Sequence, residues 1–188
     1  MIEVQHIVKS FNGKTVLKDI SAVFEAGKTN LIIGQSGSGK TVLMKSVIGI
    51  HQVDKGQILY NGRDFTKMSN KETALLRQEI GMLFQGSALF DSMTVEENVR
   101  FPLEMFSDKT RKEWEKRVAF CLDRVGLSHA AKLFPSEISG GMQKRAAIAR
   151  AIVLEPTYLF CDEPNSGLDP KTSLTIDQLI QEITRENN

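Results

Sequence analysis

The chain has 188 residues and a mass of 21.0 kDa, room for one domain with its own core and a small inserted lobe but not for two large domains. Hydrophobic residues at 41% and charged residues at 25% exclude a disordered or fibrous chain, and 24 Lys+Arg against 23 Asp+Glu remove the electrostatic case for a dedicated nucleic-acid binder. No apolar run approaches the ~20 residues that span a bilayer, and Met1 to Lys14 carry no apolar leader core, so a cytosolic chain is expected.

The first sixty residues read as short strands and turns. Ile2 to Val8 and Val16 to Phe24 flank a hairpin-like turn at Asn12-Gly13, and Thr29 to Ile33 follows Ala26-Gly27. Leu31-Ile32-Ile33 lacks polar alternation, which predicts a strand buried on both faces of a parallel sheet. A glycine-rich loop comes next, and Lys40 to Ile48 carries helical residues. Strand, glycine loop and helix in that order present backbone N–H groups and a helix N-terminus to an anion.

Gln57 to Tyr60 and Glu79 to Phe84 read as further strands with a polar helix, Ser69 to Gln78, between them. From Gly86 to Pro156 the character turns helical: Thr94 to Arg100, Lys109 to Val125 and Gly140 to Leu154. In the middle helix Thr110 and Glu113 form a capping box, and Trp114, Val118, Cys121, Leu122 and Val125 recur at helical spacing, which makes Trp114 a core residue. Thr157 to Cys161 returns to an apolar strand, and Lys171 to Glu186 is a last helix with Leu174, Leu179, Ile180 and Ile183 as its apolar side. Cys121 and Cys161 stand far apart in apolar surroundings and read as buried small hydrophobes. The expected architecture is an α/β sheet core, 1–85 and 156–188, interrupted by a helical lobe over 86–155.

Gly34-Gln35-Ser36-Gly37-Ser38-Gly39-Lys40-Thr41 fits G-x-x-x-x-G-K-[ST] in full. The glycines let successive N–H groups surround a phosphate, Lys40 reaches the β and γ oxygens, and the Thr41 hydroxyl is a ligand for Mg²⁺. The pattern predicts a P-loop nucleotide site. Tyr158-Leu159-Phe160-Cys161-Asp162-Glu163 is an apolar strand ending in two carboxylates. Beside a phosphate loop, Asp162 is the candidate Mg²⁺ ligand and Glu163 the candidate base that orients and deprotonates the attacking water.

With these motifs in this order the chain resembles the ATP-binding subunit of an ABC transporter, along essentially its whole length. Gln85 ends a strand as the Q-loop glutamine of that family does; Ile138-Ser139-Gly140-Gly141-Met142 stands at its signature sequence; Ser166-Gly167-Leu168-Asp169 is similar to its D-loop; Phe11 takes the place of its adenine-stacking aromatic. The resemblance implies a RecA-like P-loop NTPase core lacking its last strands. It implies ATP and Mg²⁺ as cofactors, with ATP contacts at Phe11, Gly34, Gln35, Ser36, Gly37, Ser38, Gly39, Lys40, Thr41, Val42, Ser139, Gly140, Gly141 and Asp169. Metal contacts would come from Thr41, Gln85 and Asp162, and catalysis from Glu163, Lys40 and Gln85. It further implies a homodimer closed around two ATP molecules, each also held by the partner's signature helix, and a membrane permease docking near Gln85 to Val95. Such a subunit works at the cytoplasmic face of the cell membrane.

Within the family, the Phe84 to Ser92 segment, Val99 to Leu103, and Met142 where most members have Gln are similar to the phospholipid-trafficking, Mce-associated subgroup. Lys144, Arg145 and Arg150 follow the signature, two of the three expected on a solvated face. The family also has a switch histidine after the D-loop, but His6, His51 and His129 all precede Asp162. The chain is therefore expected to stop at Asn187-Asn188, short of the strand that carries this histidine, and to hydrolyse ATP poorly. Two other readings are an ABC-type clamp acting on ribosome or DNA and a P-loop kinase or GTPase. The first would show tandem halves or a coiled-coil insertion, and Ser139-Gly140-Gly141 disfavours the second.

Overall fold

The computed structural model describes residues 1–186; Asn187 and Asn188, and with them the expected stopping point, lie outside the described residues. The chain divides into two compact units. The first comprises Met1–Arg77 and the last residues from Thr184 on, the second Gln78–Ile183.

The first unit is built on an antiparallel sheet ordered β2-β1-β3-β4, from β1 (Ile2–Phe11), β2 (Lys14–Phe24), β3 (Lys55–Tyr60) and the two-residue β4 (Arg63–Asp64). Asn12 and Gly13, at φ 48° and 78°, turn β1 into β2 with both central residues left-handed, the hairpin turn that matches strand twist. The inward positions Ile2, Val4, Ile7, Leu17, Ile58 and Tyr60 are buried with Leu43, Met44 and Val47 of α1 (Lys40–Val47) and Leu76 of α2 (Asn70–Gln78). The fully buried Tyr60 keeps its hydroxyl satisfied by donating to the Val47 carbonyl at 2.9 Å.

One expected strand does not form. Residues 29–35 belong to neither sheet, and Leu31 and Ile33 are 78% and 84% exposed. After β2 the chain turns on Asn30, whose side chain donates to the Glu25 and Lys28 carbonyls and accepts from the Glu25 amide. An apolar run becomes a buried strand only where neighbours complete its ladder, and neither sheet supplies one here.

The second unit holds β5 (Ile80–Leu83) and β6 (Tyr158–Cys161), paired parallel with Leu83 opposite Cys161, the helices α3 (Val95–Phe106), α4 (Arg111–Arg124) and α5 (Gly140–Ile152), and α6 (Pro170–Glu186) as far as Ile183. Val95, Val99 and Leu103 of α3, Val118, Cys121 and Leu122 of α4, and Ala146 to Ala149 of α5 share one core with Leu83, and Trp114 packs against it as expected. Burial pushes the Cys121 thiol up to about 11, the behaviour of an inert core cysteine, and that of Cys161 up to about 12, although Cys161 is only partly buried against the same core, short of the full burial expected.

Thr94 and Glu97 cap α3 reciprocally, and at α4 the Glu113 carboxylate accepts from the Thr110 amide and hydroxyl while the Glu113 amide donates to the Thr110 carbonyl. The first of these helices runs past its expected end at Arg100, through Pro102, because Leu103 beyond the proline is anchored in the core. On α6 the buried stripe is Ile176, Leu179 and Ile183, spaced by three and four; Leu174 lies off that stripe and is 63% exposed, contrary to expectation.

Candidate nucleotide-binding and catalytic residues

The expected site residues fall into two sets, one in each unit. In the first unit Gly34 to Lys40 form a loop that leads into α1, with Gly37 and Gly39 at φ 74° and 99°. Gly39 is the N-cap of α1 and has no side chain to offer; a Cβ there would stand 3.3 Å from both Val16 Cγ1 and Leu17 Cδ2 of β2. The positive φ is what calls for glycine, and the close approach adds that Val16 or Leu17 would have to shift slightly for any Cβ. The Lys40 ammonium donates to the Gly34 and Gln35 carbonyls at 2.7 and 2.9 Å, folding over its own loop. Thr41 and Val42 follow in the first turn of the helix. Phe11, at the tip of the β1–β2 hairpin, is 38% exposed, set edge-on to His51 with centroids 5.1 Å apart and with the Lys9 ammonium over its ring. It is an accessible ring rather than a core residue.

In the second unit the parallel register does the positioning. Leu83 pairs with Cys161, and the Asp162 amide extends the ladder by donating to the Leu83 carbonyl at 2.9 Å. Gln85 and Glu163 each stand two residues beyond the paired ends, and the Gln85 Nε2 donates to Glu163 Oε2 at 2.7 Å. A longer contact joins the same nitrogen to Ser166 Oγ at 3.4 Å. Glu163 has φ 47°, a left-handed backbone for a non-glycine residue.

Ser139 is the N-cap of α5, its Oγ accepting from the Met142 amide, so Ser139, Gly140 and Gly141 open this helix as expected. No atom lies within 4 Å of a Cβ built on Gly140, whereas one on Gly141 would meet Thr172. Asp169 caps α6: its carboxylate accepts from the Lys171 and Thr172 amides and from the Thr172 hydroxyl, bonds that hold it below the usual carboxylate range, the hydroxyl contributing most.

Two features escaped the sequence reading. The first is the inward turn of the α5 cations: Lys144 is only 4% exposed, and none of the three basic residues lies on a purely solvated face. Lys144 donates to the Gln85 carbonyl, Arg145 to the Val125 carbonyl, and Arg150 to those of Ser87 and Ala88. Alanine at 146, 147 and 149 leaves the flanks of the helix thin enough for its long cations to be drawn inward. The second is the fully buried Asn98: its amide donates to the carbonyls of Phe90, Met93 and Thr94 and accepts from the Phe90 amide, shaping the loop before α3. Its signal was a polar residue beside Val95 and Val99 on the inward face of a helix.

Residues 17–166 match the family model described as ABC transporter. The chain belongs to the ABC transporter family. It is 43% identical over 185 residues to a probable ribonucleotide transport ATP-binding protein, mkl, of Mycobacterium leprae, covering 98% of this chain and 53% of that protein. It is 39% identical over 186 residues to the methionine import ATP-binding protein MetN of Clostridium tetani, covering 99% of this chain and 58% of that one. The chain thus spans about half the length of the curated relatives it matches. Among solved structures, the dimeric post-hydrolysis state of the ATP-binding cassette MJ0796 bound to ADP and Pi superposes with a TM-score of 0.89 at 28% identity, over 100% of this chain and 84% of that one. The α/β, P-loop-type ABC fold expected from sequence is therefore the fold observed.

ABC ATPases of this fold use Mg²⁺, and the donor set fits it. Within the second unit Gln85 and Asp162 carry hard oxygen donors, and the Gln85 amide, by donating through nitrogen to Glu163, leaves its oxygen for a cation. Bound there, Mg²⁺ would neutralise charge on the nucleotide phosphates. Among the described residues no helix is long and apolar enough to cross a membrane.

Proposed function

We propose that the chain is the ATP-binding and ATP-hydrolysing part of an ABC transporter subunit, working as a homodimer closed around two Mg²⁺-bound ATP molecules. The observation that carries this reading is the Gln85–Glu163 hydrogen bond at the tips of two parallel strands, in a chain that also holds a complete phosphate loop. Lys40 and the loop amides would bind the phosphates, and Ser139, Gly140 and Gly141 would bind the γ-phosphate of the nucleotide held by the partner subunit. Glu163 would take the proton of the attacking water, with Gln85 holding that carboxylate in place. Phe11 would stack on the adenine, and Asp169 would order the chain beside the partner's nucleotide.

A membrane permease would dock along Gln85 to Val95, where Phe90 is 43% exposed and its ring is tilted against that of Phe101 with centroids 4.9 Å apart. The subunit would then work at the cytoplasmic face of the cell membrane, with residues 1–85 and 156–188 as its α/β core and 86–155 as its helical lobe. Phospholipid or another lipid is the proposed cargo, supported by the Phe84 to Ser92 segment and Met142. The names of the relatives favour a second reading, transport of a ribonucleotide or import of methionine. Purifying the protein from membranes decides between them. A copurifying permease with bound phospholipid, and ATP turnover stimulated by lipid, is the expected result; stimulation by a ribonucleotide or methionine instead would overturn the lipid assignment. Recovery of ribosomal or DNA partners without a permease would overturn the transporter reading.

A further inference from the structure

Lys144 is a cation in a place where cations are costly. It lies on α5 beside the buried Ala146, Ala147 and Ile148, and only 4% of its surface meets solvent. Burial lowers its pKa, while Asp162, Cys161 and Glu163 act on it in the opposite sense. A methionine would fill the same volume without desolvating a charge, so a lysine here calls for a role that methionine cannot fill. The hydrogen bond it makes supplies that role, because the Nζ donates to the backbone carbonyl of Gln85.

The loop after β5 receives a second fastening from the same helix. Arg150 donates to the Ser87 carbonyl at 2.8 Å and to the Ala88 carbonyl at 2.7 Å, with its guanidinium 5.9 Å from the Phe90 ring centroid. Ser87 and Ala88 are consecutive non-glycine residues at φ 62° and 51°, a conformation that persists only where its surroundings impose it. Gln85, Ser87 and Ala88 are thus tied through their carbonyls to one helix, while the Gln85 side chain is tied to Glu163. Gln85 is held at both ends, by Lys144 at its backbone and by the candidate base at its amide.

We propose that Lys144 is a positioning residue for Gln85: by fixing the Gln85 carbonyl to α5, it sets the reach of the Gln85 amide to Glu163 and couples that pair to the helix that opens at Ser139-Gly140-Gly141. A nucleotide engaged at the start of α5 would then be felt at the Gln85–Glu163 pair without touching it, because the two are joined through a rigid helix and a buried ammonium. The catalytic meaning of the coupling rests on the ATPase reading above. The coupling itself concerns only contacts within the second unit. Arg150 serves as the general anchor of the loop; Lys144 acts on Gln85, whose side chain reaches the candidate base.

The test is Lys144→Met in the full natural chain, with three readouts. Steady-state ATP turnover should show kcat lowered at least about tenfold with KM for ATP within about twofold, since an interaction needed in the chemical step is lost while the phosphate loop is untouched. Hydrogen exchange at the Ser87 and Ala88 amides should quicken by about fivefold or more, while exchange in the α4 core is unchanged. Lys144→Arg, which keeps a cation and its donors, should return kcat to within about threefold of wild type. A Lys144→Met variant with wild-type kcat and wild-type exchange would overturn the proposal. So would a variant in which kcat and KM worsen together, thermal stability falls, and arginine rescues nothing, since that pattern belongs to a merely structural residue. If Lys144→Met does not fold, Lys144→Gln is read by the same three measurements. Should the unmodified protein bind ATP and never turn it over, the ATPase reading fails by itself, and the exchange arm still decides whether Lys144 positions the loop.

Discussion

The methyl group of Thr172 occupies the space that a side chain on Gly141 would need: a Cβ on Gly141 would stand 2.6 Å from Thr172 Cγ2. The threonine cannot swing aside freely, because its hydroxyl donates to Asp169, the cap of α6. The signature helix and α6 are therefore packed at glycine distance. Gly141→Ala is expected to cost about 1–3 kcal/mol through overpacking. Thr172→Ser keeps the hydroxyl and removes the methyl, so the double variant should recover most of that loss, a coupling that urea denaturation of the four proteins would measure.

For the carboxylate at the tip of β6, Glu163→Gln should leave ATP affinity within about threefold of wild type while lowering turnover by about 10²–10⁴-fold, the range for loss of a general base. An ATP-bound dimer should then persist, visible by sedimentation at saturating nucleotide. Phosphate release at the wild-type rate would remove Glu163 from the role of base.

Lys40 makes its two hydrogen bonds to carbonyls of its own exposed loop, so removing its side chain should barely affect folding. The consequence of Lys40→Ala falls instead on the ligand: ATP affinity should drop on the order of 100-fold, because a charge-assisted phosphate contact is lost. Titration with a fluorescent ATP analogue, alongside a thermal melt, separates the two effects.

Three capping carboxylates should contribute to acid stability, beside Asp54, Asp64 and Asp169, which are also held below their ordinary values. Glu72, Glu97 and Glu113 accept from the amide and hydroxyl of Ser69, Thr94 and Thr110, and these bonds pull each below its ordinary value of 4.5. Since the folded chain binds protons less readily at these groups than the unfolded one, their stabilisation is complete above 4.5 and is lost as pH falls through the lowered values. The urea midpoint should hold steady down to about pH 5 and fall below it, and Glu97→Gln with Glu113→Gln should make that fall shallower.

Most elements could be read from the sequence because their signals are local. Alternation marks β1 to β3, capping boxes mark the starts of α3 and α4, and the phosphate loop is a contiguous string whose conformation is dictated by its own glycines. What escaped depends on distant partners. Leu31 to Ile33 have strand composition and no ladder, and the inward turn of Lys144 and Arg150 follows from carbonyls offered by a loop some sixty residues away along the chain. Gln85 and Glu163 were each recognised, but their hydrogen bond is a product of strand register, which no single segment encodes.

That register gives chain length a chemical meaning. Because Leu83 lies opposite Cys161 and the two candidate residues follow at equal distances, one inserted residue between Leu83 and Gln85 would carry the amide away from the Glu163 carboxylate it donates to. Such an insertion would break that hydrogen bond with both side chains still present in the sequence. Matched insertions in both strand tips would do less harm than either alone. In this chain the spacing from ladder to side chain is as much a determinant of that pairing as the identity of the residue.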